Sequence, residues 1–460
     1  MVDAMETLDL RTPTSIHIVG VGGAGMSALA LVLAQMGHQV SGSDVRENRI
    51  FEQLRAAGVT TFVGHRAEQI GSATWVTSSP AVQESNSELV AARSSGRFVL
   101  LRSAILGALT RATKTLAVTG THGKTTTSSM LSLILVHAGV TPSFVIGAEL
   151  TGLGVNANFS PGSPLVLEAD ESYGSFTALT PAMTGITNIE ADHLDHYGTV
   201  AHLEEAFADL CARTAGPVVV MADDDGAARV GQTCAAITVG QDSTTDVVIG
   251  QVALSRASST FTLTLLDGTV TEITLAAPGL HNVQNASVAA VMASLLGVGH
   301  ELIAKGLGHF AGVPRRFEFR GRAAGITFVD DYAHLPSEVA ATVAAARAGG
   351  YERVICVFQP HRYTRTQAVA QEFNHSFDLA DHVVITPIYG SGEQPIPGVS
   401  GKLVADAVRS QLGSERVTYV DYDRDVLDVV DELLREGDLC LTMGAGDLTE
   451  LPDLLIERRR

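Results

Sequence analysis

Short β-rich apolar runs alternate along the chain with helical stretches of about ten to fifteen residues, the pattern expected of parallel sheets joined by crossover helices. The opening unit "SIHIVGVGGAGMSALALVLAQMG" predicts a strand from Ser15 to Val21, a glycine turn, and a helix to about Met36. "HQVSGSD" predicts a second strand ending near Asp44, and the runs at Trp75 to Ser79 and Phe98 to Leu101 continue the series. "GALTRATK" reads as a linker and puts a first boundary near Thr110.

A second unit starts at "TLAVTGTHGKTTT" and holds the runs "PLVLEAD" and "AMTGITN". Its later part alternates polar and apolar residues around Asp267-Gly268, a hairpin signal. Gly312 and Pro314 mark a second boundary, after which "GITFVDDYAH", "RVICVFQP", "HVVITPIYG", "RVTYVDYD" and "DLCLTMGAGD" resume the strand and helix rhythm. The expected class is α/β, in three domains with mainly parallel sheets. Residues 1–110 and 315–460 read as Rossmann-like, and residues 111–314 as a central domain with a β-rich appendage.

Composition agrees with folded domains throughout: 460 residues, 45% hydrophobic and 18% charged. A net charge of -19 argues against broad adhesion to nucleic acid or anionic membrane, so any phosphates bound here are small and met by local donors. Cys211, Cys234, Cys356 and Cys440 lie far apart without CxxC spacing, which fits reduced thiols in a cytosolic setting. The N-terminus has no signal-peptide pattern, and no apolar run reaches the roughly 18 residues of a membrane span. The expectation is a soluble, cytoplasmic protein.

In "VTGTHGKTTT" the apolar run supplies a strand, and Gly120, Thr121, His122 and Gly123 form a tight turn with inward N–H groups. Lys124 then opens a helix whose positive end faces the loop, and such a nest binds phosphates. Lys124 is spaced to reach terminal phosphates and Thr125 to ligate magnesium, with Thr126 following. The motif is shorter than G-x-x-x-x-G-K-[ST], because Val118 stands where the first glycine would be. The earlier "GVGGAG", with Gly20, Gly22 and Gly25, satisfies G-x-G-x-x-G, and Asp44 ends the next strand. By itself it fits either a nicotinamide or flavin dinucleotide, or another pyrophosphate such as a UDP-sugar.

Two strand-end segments share the second unit with the phosphate loop. "LVLEADESYGS" carries Glu168, Asp170 and Glu171, and "GITNIEADHLDHYG" carries Glu190, Asp192, His193, Asp195 and His196. Parallel strands would bring both to the sheet edge that holds the phosphates, which is a metal-site expectation. Magnesium prefers oxygen ligands and takes a histidine less usually; as a set beside the phosphate loop, Glu168 and His193 lead, and Asp170, Glu171 and Asp192 are further candidates. Each acid alone would equally serve as a helix cap or a solvated loop residue.

Taken together, "HIVGVGGAGMS", "VSGSD", "TGTHGKTTT", "EADES", "TNIEADHLDHYG", "HNVQNA", "RRFE", "DDYAH", "FQPHRYTRT" and "GEQPIPGVSG" occur in an order that resembles the Mur ligases, the ATP-dependent amide ligases of peptidoglycan precursor synthesis. The resemblance runs from about Ile16 to Asp447. It implies an N-terminal UDP-substrate domain, a central P-loop ATPase and a closing C-terminal domain. It also implies ATP-dependent joining of L-alanine to the lactyl carboxylate of UDP-N-acetylmuramate through an acyl phosphate, with ATP and Mg2+. Alternatives are murein tripeptide ligation in cell-wall recycling and, from another class, an NAD-dependent dehydrogenase built on "GVGGAG". The protein would be a monomer or homodimer without membrane insertion.

Carried over by position, Gly22, Gly23, Ala24, Gly25, Met26, Asp44 and Ser79 serve the UDP-substrate, and Gly120 to Thr126 with Asn282, Asn285, Arg316 and Asp331 serve ATP. Thr125, Glu168 and His193 hold metal, while Tyr332, His334, His361 and Arg362 face the amino acid and muramoyl group, with His334 as the amine base. Lys124, Glu168, His193 and His334 are the catalytic set. The sequence departs from the family pattern at Tyr173, at Leu335, and in "RSAIL" around Arg102. Leu335 lies next to the expected alanine pocket.

Overall fold

Apolar runs buried on both faces form the centre of three sheets, each in an α/β layer. The computed structural model describes residues 8–79, 81–150, 154–421 and 425–460; the side chains of Tyr173 and Asp195 lie outside this set. The first sheet holds β1 (Ser15–Val19), β2 (Gln39–Asp44), β3 (Thr60–Val63), β4 (Trp75–Ser78) and β5 (Phe98–Leu101). Its order is β3-β2-β1-β4-β5, parallel throughout.

The second sheet holds β6 (Thr115–Thr119), β7 (Ser143–Leu150), β8 (Val155–Asn158), β9 (Leu165–Glu168), β10 (Met183–Ile186), β11 (Val218–Met221), β12 (Ile237–Gly240), β13 (Val247–Leu254), β14 (Ser259–Thr264) and β15 (Val270–Leu275). The order is β15-β14-β13-β12-β11-β10-β6-β9-β7-β8. The third sheet holds β16 (Glu318–Ala323), β17 (Ile326–Asp331), β18 (Val354–Phe358), β19 (His382–Ile385), β20 (Val417–Tyr419) and β21 (Leu439–Met443), in the order β16-β17-β21-β18-β19-β20. Only the β16 and β17 pair in it is antiparallel.

Contacts gather the chain into two compact units. One is Met1–Gly250 with Thr262–Ile273 and Gln284–His309, and the other is Gln251–Phe261 with Thr274–Val283 and Phe310–Arg460. Among the described residues no helix is long and apolar enough to cross a membrane.

β6 lies between β9 and β10 and is parallel to both, so the loops after all three strands leave the same edge. All five residues of β6 are buried, as expected of a strand covered on both faces. In β14 and β15 burial alternates residue by residue, the period-2 pattern of strands with one wet face. Their turn uses Gly268 at φ +80°, with Leu265 N–H donating to Thr269 O at 2.9 Å.

One expectation is corrected. The stretch "GALTRATK" is no linker: most of it belongs to the helix Arg102–Ala112, in which Ala104 to Thr110 are all buried. Gly107 permits this packing, because a Cβ there would meet Ala178 O at 2.6 Å. Thr110, polar in sequence, donates to Gly107 O at 2.9 Å and accepts from Thr180 N–H at 3.1 Å, so its burial is compensated. The hairpin of β7 and β8 and the strand β3 have no counterpart in the sequence reading, since their short runs interleave glycine and polar residues.

The helix Val200–Arg213 follows the "DHLDHYG" loop, and its N-cap is Thr199, whose hydroxyl accepts from His202 N–H. Phe207 of this helix is fully buried edge-on against Phe176, 4.9 Å between centroids, and so ties the helix to the turn after β9. Phe207→Ala is expected to cost roughly 3–5 kcal/mol. A thermal unfolding scan would show a lowered midpoint; an unchanged midpoint would contradict this anchoring.

Candidate active site

In the first unit the glycine turn after β1 enters the helix Ala24–Gln35 at Gly23. Gly20 has φ +82°, and a Cβ there would meet Ser79 Cβ at 2.9 Å, so Ser79 stands against the turn. Asp44 at the end of β2 accepts from Gly22 N–H at 2.9 Å, and Asn48 donates to Gly22 O at 3.2 Å. The expected neighbours Gly22, Asp44 and Ser79 thus come together around one loop, with Ala24, Gly25 and Met26 in the first helical turn.

Arg102 extends this loop toward the next sheet. A Cβ at Gly25 would meet Arg102 Nη2 at 3.0 Å, while Arg102 also interacts electrostatically with Asp170 and Glu168. Burial lowers its pKa against the pull of those two acids. Its Nε is buried without a hydrogen-bond partner, which marks a place for an anion. The sequence reading named only the departure of "RSAIL" around Arg102 from the family pattern, and no local signal gives the reach of this arginine.

β6 ends in the loop Gly120 to Gly123 and the helix Lys124–His137. Only glycine fits at two of these positions: a Cβ at Gly120 (φ +135°) would meet Thr187 Oγ1 at 2.2 Å, and one at Gly123 (φ +77°) would meet Asn285 Oδ1 at 2.3 Å. Thr121 N–H donates to Asn188 O at 3.0 Å, and His122 N–H donates to Asn188 Oδ1 at 2.7 Å. His122 Nε2 lies 3.3 Å from Glu190 Oε2. Asn188 and Glu190, after β10, therefore shape the turn after β6.

Lys124 folds back over its loop. Its Nζ donates to Gly120 O at 2.7 Å, to Thr121 O at 3.1 Å, and to Glu171 Oε2 at 2.8 Å. Burial pulls its pKa down, but Glu171, Asp170 and Glu168 outweigh that and hold it above the ordinary value. Burial pushes the Glu171 carboxyl up to about 7, against Lys124. Thr125 Oγ1 donates to Glu168 Oε1 at 2.9 Å, and Gly147 N–H donates to Glu168 Oε2 at 2.6 Å. Thr126 is buried in the first helical turn.

His193, at φ +53°, places Nε2 3.4 Å from Asp192 Oδ2 and 3.8 Å from Glu171 Oε1. Ligand atoms of Asp170, Glu171 and His193 all lie within 4.8 Å of one another. The structure thus joins His193 to Asp170 and Glu171, whereas Glu168 bonds to Thr125 and Gly147. All five side chains share the edge where β6, β9 and β10 end.

The second unit holds the remaining candidates. Asp331 at the end of β17 accepts from Phe317 N–H at 2.6 Å and Ala333 N–H at 2.7 Å. Burial pushes its pKa up to about 6, against Arg316. Arg316 lies 3.8 Å from Glu338 and covers the Tyr332 ring at 5.1 Å. Tyr332, His334, His361 and Tyr389 form a ring series, with 5.3, 5.5 and 5.9 Å between successive centroids. Arg362, at φ +67°, has a buried Nε without a hydrogen-bond partner. Leu335 is buried at the N-cap of the helix Pro336–Ala348. Asn282 lies in the first turn of the helix Leu280–Leu295 and donates to Pro278 O at 2.7 Å; Asn285, one turn on, belongs to the first unit.

Three family descriptions match the chain in succession: "Mur ligase family, catalytic domain" over residues 15–114, "Mur ligase middle domain" over 118–293, and "Mur ligase, glutamate ligase domain" over 315–446. The chain belongs to the Mur ligase family. It is 41% identical over 99% of its length to UDP-N-acetylmuramate--L-alanine ligase of Thermobifida fusca, covering 99% of that protein. It is 45% identical over 96% of its length to the enzyme of that name from Kineococcus radiotolerans, covering 96% of it. Among solved structures it resembles UDP-N-acetylmuramate-alanine ligase from Thermotoga maritima, with TM-score 0.78, 30% identity, and 97% and 99% of the two chains covered. A murein peptide ligase from Psychrobacter arcticus shares the fold at TM-score 0.67 and 24% identity.

As a Mur ligase the chain is an ATP-dependent amide ligase, and its loops fit that chemistry. The cradle at Gly120 and Gly123 leaves no room for side chains, and the oxygen-rich donor set beside it suits a hard divalent cation. Gly123→Ala is expected to lower ATP-dependent phosphate release at least about tenfold with circular dichroism unchanged, through strain at positive φ. Wild-type turnover in that variant would refute the cradle.

His361 gives a pH prediction. Burial, with His334, Arg365 and Arg362, lowers its pKa to about 3. Between about 3 and 6.5 the unfolded chain binds a proton there that the folded chain refuses, so stability falls as pH drops through this window. In His361→Gln, urea unfolding between pH 7 and 4 should show a flatter pH dependence than the parent; an identical slope would contradict the assignment.

Proposed function

We propose that this Mur ligase joins L-alanine to the lactyl carboxylate of UDP-N-acetylmuramate, with ATP converted to ADP and phosphate. Relatives of that name at 41% and 45% identity over nearly the whole chain support the reading. The observation that carries it is the shared edge of β6, β9 and β10, where Lys124, Thr125, Glu168, Asp170, Glu171 and His193 meet, with Arg102 at the start of the helix after β5 interacting with Asp170 and Glu168. That edge pairs a phosphate cradle with carboxylates, and the neighbouring loop offers a site for a pyrophosphate.

Residues 1–110 take the UDP-substrate through Gly22 to Met26, Asp44 and Ser79. Residues 111–314 take ATP through Gly120 to Thr126, with Asn282 and Asn285, and in residues 315–460 Arg316 and Asp331 are the ATP-side candidates. Mg2+ would be held by Thr125, Glu168 and His193, with Asp170 and Glu171 beside them, and when bound it neutralises phosphate charge. The lactyl carboxylate attacks the γ-phosphorus and expels ADP, forming an acyl phosphate; the alanine amine then attacks the acyl carbon and phosphate leaves. Lys124 supplies positive charge where phosphoryl oxygens gain negative charge. His334, whose Nδ1 lies 3.0 Å from Tyr332 O, takes the ammonium proton through its other ring nitrogen. The reaction runs in the cytoplasm on a monomer or homodimer.

The deciding measurement is phosphate release by purified protein with ATP, magnesium and UDP-N-acetylmuramate across a panel of amino acids and L-Ala-γ-D-Glu-meso-diaminopimelate. Alanine should support the fastest release; preference for the tripeptide would overturn the reading. Lys124→Met is expected to lower kcat on the order of 100- to 1000-fold. Substitution of Arg316 should weaken ATP-dependent turnover while UDP-substrate binding, measured by calorimetry, survives; equal loss of both would remove Arg316 from the ATP side.

A further inference from the structure

Glu88 is a fully buried acid on the helix Ser87–Ser94, which follows β4. Its N–H donates to Asn86 Oδ1 of the N-cap at 2.9 Å, which sets the residue in the first helical turn, where the peptide dipoles favour negative charge. Side chains from three neighbouring strand segments meet its carboxylate. His17 of β1 places Nε2 3.2 Å from Oε1, and Ser43 of β2 donates its hydroxyl to Oε2 at 2.6 Å. His65, two residues after β3, places Nδ1 2.8 Å from Oε2. A carboxylate only accepts, so all three donate, and His17 Nδ1 then faces Ser41 Oγ at 2.8 Å. Burial works to raise the Glu88 pKa, but His17, Ser43 and His65 outweigh it and hold the carboxyl below its ordinary value.

The Ser43 link leads to the glycine turn after β1. Ser43 O accepts from Gly20 N–H at 2.8 Å and from Val21 N–H at 3.0 Å, and Asp44 takes the next N–H, that of Gly22. Three successive N–H groups of the turn therefore end on residues 43 and 44. The parallel register sets His17 opposite Ser41 and Val19 opposite Ser43, so both Glu88 anchors lie in the paired segment just before the turn. Asp44 O also accepts from Gly64 N–H at 2.7 Å, beside the third anchor, His65. A buried charge is a poor way to fill a core, where apolar side chains pack at less cost. What the carboxylate adds is two acceptor oxygens at fixed positions, shared by three strand segments.

We infer that Glu88 is a positioning residue for the UDP-substrate: through Ser43 and His17 it holds β1 and β2 at the spacing that shapes the turn Gly20 to Gly23 for a pyrophosphate. The inference rests on the reading that this turn takes the UDP-substrate. Without the carboxylate, three buried donors lose their shared acceptor, and the segment that receives the turn's N–H groups moves as they seek others.

The test measures UDP-N-acetylmuramate binding by calorimetry and phosphate release with ATP, magnesium and alanine, on the full-length protein. In E88A, Kd and KM for UDP-N-acetylmuramate are expected to rise about tenfold or more, with KM for ATP and kcat at saturation retained. E88Q keeps the shape and one acceptor oxygen, and the His17 ring can change tautomer to accept from the amide, so E88Q should recover most of the affinity. S43A cuts only the link to the turn and should raise the same Kd and KM several-fold; it decides the matter where circular dichroism shows that E88A folds poorly. A residue that merely supported the fold would lower the active fraction, and with it kcat, while both KM values stayed at the parent's. That pattern, or parent affinity in E88A and S43A, would overturn the proposal. Parent protein that does not bind UDP-N-acetylmuramate at all would overturn the UDP-substrate reading itself, and this proposal with it.

Discussion

A buried lysine must be matched by buried carboxylate, and the arrangement around Lys124 follows from that requirement. Its ammonium is removed from bulk water, which would neutralise it if it stood alone. Two backbone carbonyls and Glu171 keep it charged. Glu171 in turn is braced from the β10 side, where Tyr197 Oη donates to its backbone oxygen at 2.6 Å. The strand order makes this possible: with β6 between β9 and β10, cation and carboxylates are brought together by adjacent parallel strands.

The same edge carries more acid than one lysine balances. Glu168, Asp170, Glu171 and Asp192 crowd around Lys124 and His193, and burial, with Asp170 adding to it, pushes the Glu171 pKa up to about 7. A site of this kind gains when a cation enters, since each added positive charge relieves repulsion among the carboxylates. Glu168 is held ready by Thr125 and Gly147, so its oxygens are oriented before any ligand arrives. Arg102 supplies the opposite field on the side of the first glycine turn, where an unpartnered guanidinium nitrogen suits an anion. Acid thus surrounds the Gly120–Gly123 loop, whereas a cation stands beside the glycine turn after β1.

The helix Arg102–Ala112 shows how packing overrides a local reading. Threonine, arginine and lysine near its end look like a solvated connector, yet Thr110 finds both a donor and an acceptor and Gly107 lets the helix touch Ala178. Because Arg102 opens that helix, its guanidinium is carried to Asp170 and Glu168 as a consequence of the packing.

The chain alone determined whatever depends on neighbours in sequence. Strand and helix alternation follows from apolar periodicity, the phosphate loop from two glycines that close contacts require, and the polar strand ends from abrupt changes in residue type. Family membership was legible for the same reason, as motifs in order. Partner choice was not. Whether Glu168 or Glu171 meets Lys124, whether His193 sits with Asp170, and where Arg102 points depend on strand order and helix docking, which bring together residues tens of positions apart. Local sequence encodes which side chains leave an edge; only the packed fold sets the few ångströms between them, because those distances come from many long-range contacts acting at once.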